Sequence, residues 1–481
     1  MMSILRSIAL WLEDRLHITK LYAATAGHHV PANTNSWFYV FGSGTLVCLI
    51  LQILTGICLA FVYVPAADHS WTTIQSLNNE QFLGSFLRAL HYWASNFMIG
   101  IMTLHLIQVF LFGAYKYPRE LTWISGCFLL FCTLGMAFTG QVLRFDQDAY
   151  WGLGIGASIM GRVPVMGGQL VRFMLAGPII GGGTLTRFFS LHVFIIPGAI
   201  LALVGLHLRL VLTKGINEYP KPGHPVVKAT YDQEYEALIH KDGVPFAPNV
   251  IGKDLMFGAA VILGILICAL AFGPKGPTGP PDPTLIVTAP KPDFYFLPVF
   301  AGLALLPAYT ETVLLLTLPV VIIGLLVALP FISNTGEKSW RRRPFSVLLV
   351  IGTMAALFFL AQAGLTSPWS PNMSSWSSDP IPIQYLAGRS PLERHGAIVI
   401  QNKQCRNCHS LDGHGGMRGP ALDGVATRLT ADQLVRQVIQ GSGNMPAYGK
   451  NLSPAEVSAV VAFMETLRPG NEPVAHDANK H

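Results

Sequence analysis

The chain has 481 residues, 51% apolar and only 12% charged, with a formal net charge of +6 and a mean hydropathy of +0.45. That balance excludes a large soluble enzyme and describes a polytopic membrane protein with some soluble mass. The positive charge follows from one-sided Lys/Arg loops and calls for no nucleic-acid partner.

Near the N-terminus, "SILRSIALWLEDRLHITK" is too short and too charged to span a bilayer, and it has no small-residue cleavage site. It reads as an amphipathic helix lying on lipid. Seven uncharged runs follow: Phe38–Val64, Tyr92–Tyr115, Leu121–Leu143, Phe188–Leu208, Leu255–Gly273, Val313–Ser333 and Phe345–Leu365. Each reaches or approaches the ~20 residues that cross a membrane. Phe294–Tyr309 is shorter and holds Pro298 and Pro307, so it reads as a re-entrant or interfacial segment.

Arg6, Arg15 and Lys20, then Lys116 and Arg119, then Lys214 to Lys253, then Lys338 and Arg341 to Arg343 all fall on one side of these spans. That side is expected to be the cytoplasm, which leaves the C-terminus outside. Between the third and fourth spans lies the amphipathic "GASIMGRVPVMGGQLVRFMLAG". A polar, helix-prone connection runs over roughly 213–250. The Pro/Gly-dense stretch from Gly273 reads as a long ordered loop.

Four histidines stand at membrane depth, where a polar side chain is costly and usually functional. His91 and His105 are fourteen apart; His192 and His207 are fifteen apart. At about 100° per residue, fourteen steps miss whole turns by about 40° and fifteen by about 60°, so each pair shares a helix face. One crossing separates the two helices, so His91 is level with His192 and His105 with His207. Two imidazoles at each of two depths can hold two non-covalent bis-histidine haems. Gly42 and Gly56, and Gly126 and Gly140, repeat the fourteen-residue interval on the first and third spans. There they would let a macrocycle approach the backbone, although ordinary helix packing also uses glycine. Arg88 and Arg187 lie outward of His91 and His192, placed for propionates.

On these residues, including "LTRFFSLH", positions 1 to about 365 resemble cytochrome b of the Rieske/cytochrome b complexes. The fifteen-residue pair is similar to the chloroplast form, whose four-span subunit is followed by a separate three-span partner; here the two are joined. The resemblance assigns "PDFY" (Pro292, Asp293, Phe294, Tyr295) to the quinol-oxidation pocket, with Asp293 taking a proton from quinol. By itself, Asp293 after Pro292 reads better as a turn residue; only the resemblance reverses that. Gln141, Arg144 and Phe145 depart from the family's residues near that pocket. Val40 stands where the chloroplast form has a haem-attaching cysteine, so no covalent haem is expected there. His28 and His29, near the inner end of the first span, read as surface residues.

"QCRNCHS" supplies Cys405, Cys408 and His409 in the C-x-x-C-H pattern that attaches a c-type haem through two thioethers. A zinc site would need further ligands, and His414 is poor support. The surrounding domain resembles a small class I cytochrome c. That resemblance implies that Met445 completes the iron, with Met417 and Met464 as competitors, and that Pro420 O accepts from His409 Nδ1. Haem c is attached outside the cytoplasmic membrane, in agreement with the seven-span parity.

The expected fold is an all-α membrane protein: a four-helix di-haem bundle (1–215), three further spans (216–365), a Ser/Pro-rich linker (366–388), an α-helical cytochrome c domain (389–468) and a tail (469–481). The expected setting is a bacterial cytoplasmic membrane. The resemblance implies a quinol:cytochrome c oxidoreductase fed by the quinone pool, a separate Rieske iron–sulfur partner, a soluble or membrane-bound electron acceptor, and a homodimeric complex. A non-bifurcating di-haem conduit between quinone and a dehydrogenase would explain the histidines but not the "PDFYFLPVF" loop.

Overall fold

The computed structural model describes residues 2–177, 180–282, 291–306, 308–366, 380–415, 419–441, 445, 447–449 and 451–469. Most of the expected linker and nearly all of the expected tail lie outside these residues. Among the described residues, seven helices are long and apolar enough to cross a membrane. The protein is an all-α membrane protein.

An N-terminal helix α1 (Met2–Leu16) exposes Ile4, Leu5, Ile8 and Trp11. The first three spans are α2 (Phe41–Ala60), α3 (Gly84–Leu111) and α4 (Glu120–Leu143). Two shorter helices follow, α5 (Gln147–Gly161) and α6 (Gly167–Leu175). The fourth span is composite: α7 (Gly182–Ser190), a π turn at Leu191–Ile195, and α8 (Ile196–Lys214). The polar connection contains α9 (Tyr231–Asp242). Then come α10 (Ile251–Phe272), the short α11 (Leu297–Leu305), α12 (Ala308–Ile332) and α13 (Pro344–Thr366). With nine residues, α11 is too short to span.

The second span begins at Gly84, eight residues before the uncharged run does. Arg88 stays inside the helix because its charge is satisfied. Its Nε donates to Asn78 Oδ1 at 2.8 Å, and Nη2 donates to the carbonyls of Lys275 (3.1 Å) and Gly276.

The chain divides into two compact units, residues 1–144, 188–277 and 318–356, and residues 145–187, 278–317 and 357–481. In the first, Cys48, Ala89, Ala94, Ile200 and Ile265 pack at the centre of the helices. Small side chains let membrane helices approach where lipid supplies no hydrophobic drive. Two features close this unit across long sequence distances. Strand β1 (His29–Pro31) pairs antiparallel with β2 (Gly243–Pro245), a ladder that no alternation in the sequence announces. A buried polar latch joins three connections: Arg119 Nη1 donates to Tyr231 Oη at 2.6 Å, Tyr231 donates to Glu218 at 3.0 Å, and Lys338 pairs with Glu218. Burial opposes ionisation of Glu218, but Lys338 and Arg119 override it and hold the carboxyl below its usual range.

In the second unit, Asp146 caps α5 by accepting from Ala149 N at 2.9 Å, and its other oxygen accepts from Thr278 N at 3.0 Å. Gln147 exchanges two hydrogen bonds with the Asp282 backbone. The loop after Gly273 is therefore stitched onto the start of α5.

This unit also holds the C-terminal helices α14 (Pro391–Asn402), α15 (Ala431–Gln440) and α16 (Pro454–Glu465). "SPLE", "TADQ" and "SPAE" each close a capping box at the N-terminus. Helices α14 and α16 cross so closely that a methyl on Gly396 would collide with the Ala459 carbonyl. Around that crossing, Ile400, Leu411, Leu434, Phe463, Met464 and Leu467 form the core.

Candidate haem centres and quinol pocket

Each of the four glycines in the bundle faces one of the four histidines. A methyl group on Gly56 or Gly42 of α2 would come within 3.3 Å of His91 Cε1 or 3.4 Å of His105 Cε1. On α4, the same change at Gly140 or Gly126 would approach His192 to 2.7 Å or His207 to 3.5 Å. The glycines therefore seat the imidazoles themselves, a closer role than admitting a macrocycle to the backbone.

Beside three of these seats stands a hydroxyl. Thr55 Oγ1 lies 2.9 Å from His91 Nδ1, Ser125 Oγ 2.9 Å from His207 Nδ1, and Thr139 Oγ1 3.0 Å from His192 Nδ1. Each hydroxyl gives its own hydrogen to a carbonyl of its helix: Leu51, Thr122 and Gly135 respectively. Its lone pair must then accept Nδ1–H, which leaves Nε2 as the free donor for a metal. The signal was present as Thr-Gly, Ser-Gly and Thr-Gly dipeptides ahead of the seats. Gly42 is preceded by Phe41 instead.

The rings of His91 and His192 stand 6.2 Å apart, centroid to centroid, at 74°. That gap accommodates one metal ion between two ring nitrogens at the ~2.0 Å that metal–imidazole bonds adopt. His105 and His207 lie near enough to interact electrostatically. The π turn contains His192. A π turn takes up one extra residue, so fifteen residues on this helix keep step with fourteen on α3. Arg187 Nη1 is buried without a hydrogen-bond partner among the described residues, with its guanidinium 5.0 Å from the Phe173 ring. An orphan cationic N–H of this kind suits a carboxylate such as a propionate. Imidazoles turned by hydroxyls and seated on glycines fit bis-histidine haem iron.

Asp293 is only 8% exposed, and Tyr295 Oη donates to its Oδ2 at 3.3 Å. Its carbonyl accepts from Phe296 N and Leu297 N, so Asp293 also sets the start of α11. Tyr295 lies edge-on between Phe294 and Phe296, and Phe294 is half exposed. This is a carboxylate in an aromatic wall. Phe145 is buried and adopts φ 42°, a left-handed conformation that costs energy for a bulky residue and clusters at functional sites.

One polar group was read only as an orientation mark. Lys253 pairs with Asp254 at 3.0 Å inside α10, and Asp254 accepts from Ser43 Oγ at 3.1 Å. Ser43 adjoins Gly42, the seat of His105. Burying two charges is costly unless they are paired and hydrogen-bonded, as here. The signal was "GKD" inside an otherwise apolar helix.

In the C-terminal domain, His409 Nδ1 lies 2.6 Å from Pro420 O. A methyl on Gly419 would meet His409 Cε1 at 2.5 Å. Burial pushes His409 below its usual range and the Cys405 thiol up to about 12, so both are neutral at physiological pH. Met464 is buried in the domain core and Met417 lies outside the described residues.

Residues 25–215 match the family model described as cytochrome b/b6/petB. Over 209 residues the chain is 39% identical to cytochrome b6 of Heliobacterium modesticaldum, covering 43% of this chain and 98% of that one. The chain belongs to the cytochrome b/b6 family. Its b/b6 region is also 38% identical over 215 residues to the menaquinol:cytochrome c reductase cytochrome b subunit of Bacillus subtilis, covering 43% of this chain and 96% of that one. Residues 392–464 match the model described as cytochrome c oxidase, cbb3-type, subunit III. The protein is thus a cytochrome b with a C-terminal cytochrome c domain. A solved structure titled hyperthermophilic respiratory Complex III aligns with a TM-score of 0.58 and 27% identity, covering 74% of this chain and 93% of that one.

Proposed function

We propose that this chain is the cytochrome b/c subunit of a quinol:cytochrome c oxidoreductase of the bc type. It oxidises quinol at the outer side with electron bifurcation to a separate Rieske protein and the b haems, coupled to proton translocation. The observation that carries the reading is the set of four glycine-seated imidazoles at two levels, joined in one chain to a buried carboxylate loop and a C-x-x-C-H domain. The similarity to a menaquinol:cytochrome c reductase subunit and to a Complex III structure supports it.

His91 and His192 would hold one b-type haem, His105 and His207 the second, with Arg187 and Arg88 toward propionates. Cys405 and Cys408 would bind the c-type haem covalently, with His409 and Met445 on its iron. When bound, these groups supply one-electron carriers. The protein's own part is proton handling and placement. Asp293 Oδ2, steadied by Tyr295, takes a proton from the quinol hydroxyl, and the Phe294–Phe296 wall keeps water from the ring. Pro292 fixes the approach of the loop. At the opposite end, Lys253, Asp254 and Ser43 can deliver a proton to a quinone beside His105. The Lys/Arg-rich connections support an orientation with that end in the cytoplasm and the cytochrome c domain outside.

The test is quinol-driven reduction of the c haem in the purified complex. Asp293→Asn should lower the rate by about 10²-fold with haem content unchanged. Rapid, Rieske-independent turnover would instead favour the non-bifurcating conduit.

A further inference from the structure

Met445 sits on a loop that the end of α15 holds in place. Tyr448 N donates to Val438 O at 3.0 Å and Gly449 N to Ile439 O at 3.1 Å, so the loop pairs back onto the last turn of the helix. The clasp is tight: a methyl on Gly449 would meet Ile439 Cγ2 at 2.9 Å and its carbonyl at 3.0 Å. Helix α15 is itself anchored by its Thr430–Gln433 capping box and by buried Leu434 and Val438. Gln437 lies between those two anchors, and its Nε2 donates to Met445 Sδ at 3.2 Å.

A thioether is a weak acceptor, and methionine has three rotatable bonds that leave its sulfur poorly fixed. The amide donor on that sulfur, carried by the same helix that clasps Tyr448 and Gly449, defines where it sits. We infer that Gln437 is a positioning residue for Met445 and that its N–H tunes the redox equilibrium of the c haem. This rests on the reading of Met445 as an iron ligand.

The sulfur has two lone pairs. If Met445 binds iron through one of them, the other would remain to accept from Gln437. The hydrogen bond draws density from the sulfur and turns the positive end of the amide dipole toward the metal. Both effects favour the less positive ferrous state. The bond therefore raises the reduction potential.

The experiment is a redox titration of the c haem in the full-length purified complex. It follows the haem's visible band and the far-red methionine-to-ferric charge-transfer band. At fixed ambient potential, Gln437→Leu should shift the ferric-to-ferrous ratio toward ferric by roughly threefold to tenfold; tenfold is about 59 mV for a one-electron couple. The charge-transfer band should move, and the b haems should titrate as before. Gln437→Met, an unbranched replacement, should do the same if leucine fails to pack. An unchanged ratio and band in a folded Gln437 variant overturns the inference. Met445→Ala separates the two readings. If it abolishes the band, the sulfur is the ligand and silent Gln437 variants sink the tuning alone. If the band survives, the ligand reading itself fails.

Discussion

In the proposed function the membrane bundle and the C-terminal domain both present a histidine to iron, and they would do so differently. In the bundle, each imidazole is seated by a glycine on a neighbouring helix, 35 to 81 positions away for the three that are also turned by a hydroxyl beside that glycine. In the C-terminal domain, the ligand, both thiols and the orienting carbonyl of Pro420 all fall within sixteen residues, from Cys405 to Pro420. The bundle depends on long helices keeping register; the small domain depends on one turn and, as proposed, on two thioethers. A ligand held by distant helices is lost when one seat is disturbed, whereas an attached group survives local damage.

Replacing one ligand tests this contrast most severely. His91→Leu should remove one acid-extractable b haem and leave the c haem in place, as read by pyridine haemochrome spectra before and after acid–acetone extraction. Retention of both extractable haems would break the assignment of His91 and His192 to one centre. Next in size is the latch. Glu218→Gln leaves Lys338 buried without its counter-charge, at a cost of about 3–5 kcal/mol, read as a lower Tm in detergent. The native latch is also pH-dependent. Because the Glu218 carboxyl is held below its usual range, its contribution is present at neutral pH and is lost as pH falls through the folded-state value. The wild-type Tm should therefore drop on acidification more steeply than that of Glu218→Gln; parallel curves would remove Glu218 from the account.

Gly396→Ala attacks the other region. The added methyl must push α14 off α16, costing about 1–3 kcal/mol. The C-terminal domain should lose protease resistance while the b-haem spectrum stays constant. The smallest change sharpens the bundle's own rule. Thr139→Val keeps the shape of the seat but removes the acceptor for His192 Nδ1. Loss of such an orienting partner typically weakens metal binding by 10–100-fold, so haem should dissociate faster on dilution into detergent. An unchanged off-rate would show that the glycine seats suffice without the hydroxyls.

Much of this arrangement was legible because it is periodic or contiguous. Intervals of fourteen and fifteen residues report a helix face, uncharged runs report spans, and C-x-x-C-H reports its chemistry within five residues. Each depends only on local geometry, which the order of amino acids carries directly. The second span was read eight residues short, because a charge ends an uncharged run while a paired Arg88 does not end a helix.

What the sequence by itself determined, then, is which residues can ligate and how far apart they stand along each helix. Tertiary structure alone decided which glycine seats which histidine, that the hydroxyls hold Nδ1 and leave Nε2 free to ligate, that Lys253, Asp254 and Ser43 meet, and that Gln437 reaches Met445. These pairings depend on how helices rotate and slide against one another, and no single segment encodes that. The π turn at Leu191–Ile195 joins the two levels. The extra residue between His192 and His207 was visible as a fifteenth position, but only the folded helix shows where it is absorbed. A π turn adds one residue without adding a turn, and the facing imidazoles require that the two helices stay in step.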